Sequence, residues 1–245
     1  MRRSSIFILL ALLVATQSAL SAELKIFTAR AIWTVLNEIG PEFERTTGHK
    51  LNVISGFTPE FIKRMNSGET FDILFSPPPT IDTLIKEGKL IADSRTLLVR
   101  SDVGVEVRAG AVKPDISTVE ALKRSLLNAK SVTYLPVPGV PQMLEQLGIA
   151  DDVKPKATVP NTDIVSELVA KGEVELGIVV VTQILTTPGV ELVGPLPPEL
   201  RISTTFAGAI SSQTKVPDAA RDLISFLKRP ETVKIIRAQG MEPLF

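Results

Sequence analysis

Along Leu24-Lys25-Ile26-Phe27-Thr28 the residues Leu24, Ile26 and Thr28 alternate with Lys25 and Phe27. From Ile32 onward Val35, Leu36, Ile39 and Phe43 recur at helical spacing. The change of period near Arg30 predicts a strand that turns directly into an amphipathic helix over 31–46. Pro41 predicts a bend or break within that helix, and Gly48 its stop. The pattern then recurs twice. Residues 51–54 read as a strand, and Ser55-Gly56-Phe57-Thr58-Pro59-Glu60 reads as a turn with Thr58 as N-cap and Pro59 at the first helical position. Residues 71–75 read as a third strand, followed by Ser76-Pro77-Pro78-Pro79-Thr80, in which Thr80 can cap a helix over 81–86. Three strand-helix units in succession argue for a parallel twisted sheet with ligand-facing loops on one edge. The N–H groups at the start of a helix have no intrahelical partner, so such junctions favour an anionic group.

The texture changes at 96–109, a long β-like region through Leu97, Leu98, Val99, Val103, Val105 and Val107 that reads as a crossing between lobes. Ser117-Thr118-Val119-Glu120 matches a capping box before a helix to about 128, and a strand over 131–135 leads into a proline-rich loop. Ile164, Val165, Leu168 and Val169 mark a further helix stopped by Gly172. Residues 175–181 form a nearly continuous apolar strand of the kind buried on both faces. A strand over 201–210 reads as the return crossing, followed by two helices ending at Pro230 and Gly240. The expected organisation is a lobe from 23–100 plus 200–245 and a second lobe from 101–199.

Residues 1–22 place Arg2 and Arg3 before an apolar run over 6–15 and small residues at Ala19, Ser21 and Ala22, the layout of a cleavable signal peptide. The run is short of the roughly 20 residues that span a bilayer. Cleavage after Ser21 or Ala22 leaves 25 Lys+Arg against 27 Asp+Glu, a net charge of −2, and nothing in this balance suggests nucleic acid. Cysteine is absent, which excludes disulfides, thiolate metal sites and Cys nucleophiles. The single histidine, His49, follows a helix-ending glycine and reads as an exposed loop residue.

Ala29-Arg30-Ala31-Ile32, Gly40-Pro41-Glu42-Phe43-Glu44-Arg45-Thr46-Thr47-Gly48-His49 and Phe71-Asp72-Ile73-Leu74 carry a resemblance that extends through most of the chain. So do Gly104-Val105-Glu106-Val107-Arg108-Ala109-Gly110, Gly189-Val190-Glu191-Leu192-Val193-Gly194-Pro195-Leu196-Pro197 and the ending from Ala219 to Gly240. The chain resembles periplasmic solute-binding proteins of the molybdate-binding type. The resemblance implies an α/β, two-lobed type II periplasmic binding fold, each lobe a mostly parallel sheet flanked by helices, with the ligand in the cleft between lobes. It implies a monomer that delivers a small anion to an ABC permease, and neither a cofactor nor a metal. By position it implies ligand contacts from Thr28 and Thr58 and an approach to the cleft at Ser76, while the turn of Ala29 and Arg30 is the anion-favouring helix start read above, and Thr182 and Gln183 are candidates to replace a hydroxyl that the family has nearby. Two departures stand out. The loop over 136–140 is short and holds Pro136 and Pro138, and a tyrosine of the molybdate binders falls at Val180, which has no hydroxyl.

Three functions are compatible with these residues. The first is capture of a small anion, either an oxyanion such as molybdate or an organic carboxylate paired with Arg30. The second is a hydrolase, for which no Gly-x-Ser-x-Gly, zinc, P-loop or dinucleotide motif is present and no catalytic residue is assigned. The third is a sensing or interaction role on the same scaffold with a degenerate site.

Overall fold

The computed structural model describes residues 21–135, 139–160 and 165–245. The expected signal segment, apart from Ser21 and Ala22, lies outside the described residues, as do residues 136–138 of the proline loop and residues 161–164. The first half of the chain forms β1 (Glu23–Thr28), α1 (Arg30–Thr47), β2 (Lys50–Ser55), α2 (Thr58–Asn66), β3 (Ile73–Ser76), α3 (Pro78–Lys86) and β4 (Thr96–Arg108). Next come α4 (Val119–Asn128), β5 (Val132–Tyr134), α5 (Val140–Gln146), α6 (Ala150–Val153), β6 (Ala157–Thr158), α7 (Val165–Lys171) and β7 (Leu176–Val180). The chain finishes with α8 (Val181–Thr186), β8 (Val190–Pro195), β9 (Ser203–Ile210), α9 (Pro217–Leu227), α10 (Pro230–Ala238) and β10 (Met241–Pro243).

The strands lie in the order β2-β1-β3-β9-β4-β7-β5-β6, with β8 and β10 also paired to β4. β1 is parallel to both β2 and β3, and β5 is parallel to β6 and β7. β9 runs antiparallel between β3 and β4. The strand that joins the two sections is β4. Its residues up to Asp102 pair with β9, and from Val103 onward it pairs with β7. The return is made before β9 rather than along it, because Val103 N–H donates to Ile202 O at 2.8 Å and every β9 partner lies on β3 or β4.

Side-chain alternation on β1 sorts the first section into two apolar layers. Leu24 and Ile26 pack with Val35, Leu36 and Phe43 of α1 and with Leu223 and Leu227 of α9. Phe27 points to the other face, where Phe61 stacks on it at 4.8 Å and Phe71 at 5.2 Å. The second section has its own layers, one around Val103, Val105, Leu122, Val132 and Ile178 and a smaller one around Leu135, Val165, Val179 and Ile184.

Three local expectations are corrected. Helix α1 continues through Pro41, which is exposed; the carbonyl it leaves without a donor belongs to Asn37 on the solvent face, where water can satisfy it. His49 is buried, not exposed: its Nδ1 accepts a hydrogen bond from Ala22 N–H at 3.2 Å and its ring lies against Phe43. Thr118, one residue later than the capping box suggested, is the N-cap of α4 and accepts from Ala121 N–H at 3.1 Å.

A polar cluster is enclosed in the second section. Glu106 on β4 and Thr133 on β5 both lie opposite Gly177 of β7, so all three positions share one face of the sheet. A Cβ on Gly177 would come within 2.6 Å of Glu106 Cγ and closer still to its carboxyl oxygen, so only glycine fits beneath this side chain. Glu106 and Ser166 of α7 are fully buried. Burial pushes the Glu106 carboxyl up to about 7, with the Ser166 hydroxyl pulling weakly the other way. A carboxyl raised in the folded state contributes stability that is complete below its usual value of 4.5 and is lost as pH rises through about 7. In urea unfolding, the stability of Glu106→Gln relative to the unsubstituted protein should therefore rise by about 3 kcal/mol between pH 4 and pH 8. A pH-independent difference would show that Glu106 is ionised in the native state.

Candidate functional site

β1 ends at Thr28, and the turn into α1 is Ala29. Thr28 is fully buried on the same face of β1 as Leu24 and Ile26, and its hydroxyl donates to Ala29 O at 3.1 Å. It therefore supports the turn from inside, and the cleft wall is formed by the residues that follow it. The Ala29 N–H donates to Phe75 O at 3.3 Å and stays in the sheet, while Ala29 O accepts from Ile32 and Trp33 N–H groups at 3.1 Å. The first helical amides are those of Arg30 and Ala31, and Ala29, Arg30, Ala31 and Thr34 all line the cleft. The Arg30 guanidinium lies 5.7 Å from the centre of the Trp33 ring.

The second junction brings Gly56, Phe57 and Thr58 to the same cleft. Thr58 is not the N-cap expected from the sequence. Phe57 occupies that position without a side-chain cap, and Thr58 is the first helical residue, followed by Pro59. The Thr58 hydroxyl is engaged instead by the Ser76 hydroxyl at 2.8 Å, which ties the β2-α2 junction to the end of β3. Ser76 is 1 % exposed, so it sits behind Thr58 rather than on the cleft surface. At the third junction Pro77, not Thr80, precedes α3, because Pro78 and Pro79 already have the backbone angle a first helical turn requires; Pro77 lines the cleft.

The opposite wall comes from Leu135 after β5 and from α8, a helix the sequence reading did not separate from the apolar strand before it. Its Val181, Ile184 and Leu185 do fall at helical spacing, which is the signal available in the sequence. Val180, Thr182, Gln183 and Thr186 line the cleft, with Thr204 and Phe206 of β9 at its base. Thr182 is fully buried, and its hydroxyl bonds that of Ser101 on β4 at 3.0 Å. Thr186 donates to Thr182 O at 2.8 Å. Phe57 crosses from the first wall to pack against the cluster of Leu135, Val165, Val179 and Ile184.

The cleft volume is about 150 Å³, the scale of a small solute rather than a polymer. Of the residues singled out in the sequence, Ala29, Arg30, Thr58, Thr182 and Gln183 line it, Ser76 reaches it through Thr58, and Thr28 lies beneath it. Among the described residues no carboxylate, histidine or lysine lines the cleft. The chemistry on offer is noncovalent: helix-start amides, hydroxyls, the Gln183 carboxamide, one guanidinium and the carbon surface of Phe57, Leu135 and Val180.

A family model described as bacterial extracellular solute-binding protein matches residues 24–242, and the chain belongs to that family. Molybdate-binding proteins are among its relatives. The chain is 28% identical to the molybdate-binding protein of Azotobacter vinelandii over 91% of each chain. It is 31% identical to a Pseudomonas protein named aconitate isomerase, over 96% of this chain and 94% of that one. The solved structure of the Azotobacter vinelandii periplasmic molybdate-binding protein superposes with a TM-score of 0.74 at 21% identity, covering 89% of this chain and 98% of that one. The architecture is thus the two-lobed periplasmic binding fold.

The Thr58–Ser76 pair is testable without any ligand. Thr58→Val leaves the buried Ser76 hydroxyl without its partner and should cost about 1–3 kcal/mol in denaturant unfolding. Adding Ser76→Ala should recover part of that loss, giving a coupling energy of at least about 0.5 kcal/mol in the double-mutant cycle. Additive effects would mean that the 2.8 Å contact carries no stability.

Proposed function

We propose that the mature chain is a periplasmic, monomeric solute-binding protein that captures a small anion between its lobes and delivers it to an ABC permease in the inner membrane. The first lobe is formed by residues 23–100 and 200–245 and the second by 101–199. The observation that carries the reading is the convergence of the α1 and α2 junctions, with Arg30 and the Thr58–Ser76 hydroxyl pair, on one cleft closed from the other side by α8. A buried anion needs donors or a counter-charge, and this is where the cleft supplies both. The names of the relatives span two anion classes, an oxyanion and an organic carboxylate.

An isomerase reading is favoured by the 31% relative alone. The described lining supports binding in preference, since moving a proton on a bound carboxylate calls for an acid-base group within reach.

Trp33 is the only tryptophan and stands beside Arg30, so its fluorescence should report occupancy. In a panel of molybdate, tungstate, sulfate, phosphate and small carboxylates, at least one anion should change that fluorescence. At 100 times its dissociation constant it should stabilise the fold by about 2.7 kcal/mol. Thr58→Val should weaken its binding by roughly tenfold or more, whereas Thr28→Val, beneath the cleft, should change it by less than about threefold. Silence across the panel would refute the transport reading. A carboxylate whose NMR spectrum changes on incubation with the protein would establish the isomerase.

A further inference from the structure

The two helices on opposite sides of the cleft are held by three consecutive residues that do not line it. Ala31 and Thr34 of α1 belong to the first wall, and Thr182, Gln183 and Thr186 of α8 to the second. The segment Gln239-Gly240-Met241, where α10 passes into β10, reaches both helices. Gln239 is buried and engages α1: the Thr34 hydroxyl lies 2.7 Å from Gln239 Oε1 and 2.9 Å from the Ala31 carbonyl of its own helix. Gln239 Nε2 donates to Glu38 Oε2 at 2.8 Å, and because a carboxylate only accepts, this contact turns Oε1 toward Thr34. Gly240 engages α8. A Cβ there would come 2.7 Å from Val181 Cγ1 and 2.9 Å from Leu185 Cδ1, so the helix rests on bare backbone. Met241 pairs with Ser101 of β4, whose hydroxyl bonds that of Thr182 at 3.0 Å.

A ligand that takes donors from both walls depends on their spacing, since useful donor–acceptor distances span only about 0.5 Å. Building on the anion-capture reading above, we infer that Gln239, Gly240 and Met241 are positioning residues of the binding site: they fix the separation of α1 and α8, and through it the affinity for an anion bound between them. Close packing leaves α8 little slack. A methyl added at Gly240 must displace Val181, which is branched at Cβ and stiff, or the helix that carries it. Leu185 is half exposed and can turn aside.

Calorimetric titration of the purified mature protein with molybdate, sulfate, citrate and acetate, well below the melting temperature, tests this. Gly240→Ala should weaken the tightest-binding of the four by about fivefold or more, the worth of one net hydrogen bond. Adding Val181→Ala removes the collision and should restore most of that affinity. The melting temperature of this double variant should stay low, because the φ of 75° at Gly240 still opposes any side chain. Gln239→Glu sets two carboxylates together and should also weaken binding; adding Glu38→Gln lets amide and carboxylate change places and should restore it. A segment that only stabilises the fold would give lower melting temperatures with unchanged affinities. If Gly240→Ala does not fold, the Gln239 and Glu38 variants decide alone. Unchanged affinity in the folded single variants, or a loss that neither second substitution restores, would overturn this inference while leaving anion capture standing. Failure of the unsubstituted protein to bind any of the four would refute capture itself, and with it the inference.

Discussion

Parallel pairing of β1 with β2 on one side and β3 on the other is the constraint on which the site depends. The registers place Thr28 opposite Ser55 and opposite Phe75, so three strands finish within about one residue of a common line. Each must then leave the sheet into a helix; α1 and α2 turn opening N–H groups back toward that edge, whereas Pro78 and Pro79 leave the first turn of α3 without them. A shift of register by one residue would turn Phe27 into the α1 layer and Ile26 into the aromatic stack, so the two apolar layers hold the edge in line. The cleft inherits its positive end from this alignment before any particular side chain is chosen.

What the side chains add is selective satisfaction. The Thr58 and Ser76 hydroxyls meet across two junctions, and those of Ser101 and Thr182 meet across β4 and α8. In the second pair both partners are buried, so the contact fixes α8 on the strand that runs through both sheet sections. α8 also reaches into the first section: a Cβ on Gly240, just before β10, would lie 2.7 Å from Val181 and 2.9 Å from Leu185. One short helix thereby lines the cleft and seats against the far end of the chain.

The Glu106 cluster shows the opposite economy. A carboxyl enclosed over Gly177 with only hydroxyls nearby is costly when charged, and burial favours its neutral form near pH 7. Its place on β4 between β7 and β8, away from the residues that line the cleft, separates this titration from the binding surface.

The period-two and period-3.6 patterns were enough to establish the alternation of strands and helices and the parallel pairing of the first three strands with its junction edge, because burial of one face leaves a periodic trace in the residues themselves. The same trace already aligned Thr28 with Leu24 and Ile26, the side that packs under α1. Only the tertiary structure decided which junction residues reach the cleft. Thr58 passes from cap to cleft wall because Ser76, eighteen positions away, is brought to its hydroxyl by the β1-β3 pairing. His49 is buried because Ala22 and Phe43 close over it, and α8 separates from β7 because Ser101 and Gly240 hold it. Each of these outcomes is set by a contact between residues remote in sequence, and local spacing carries no record of such contacts.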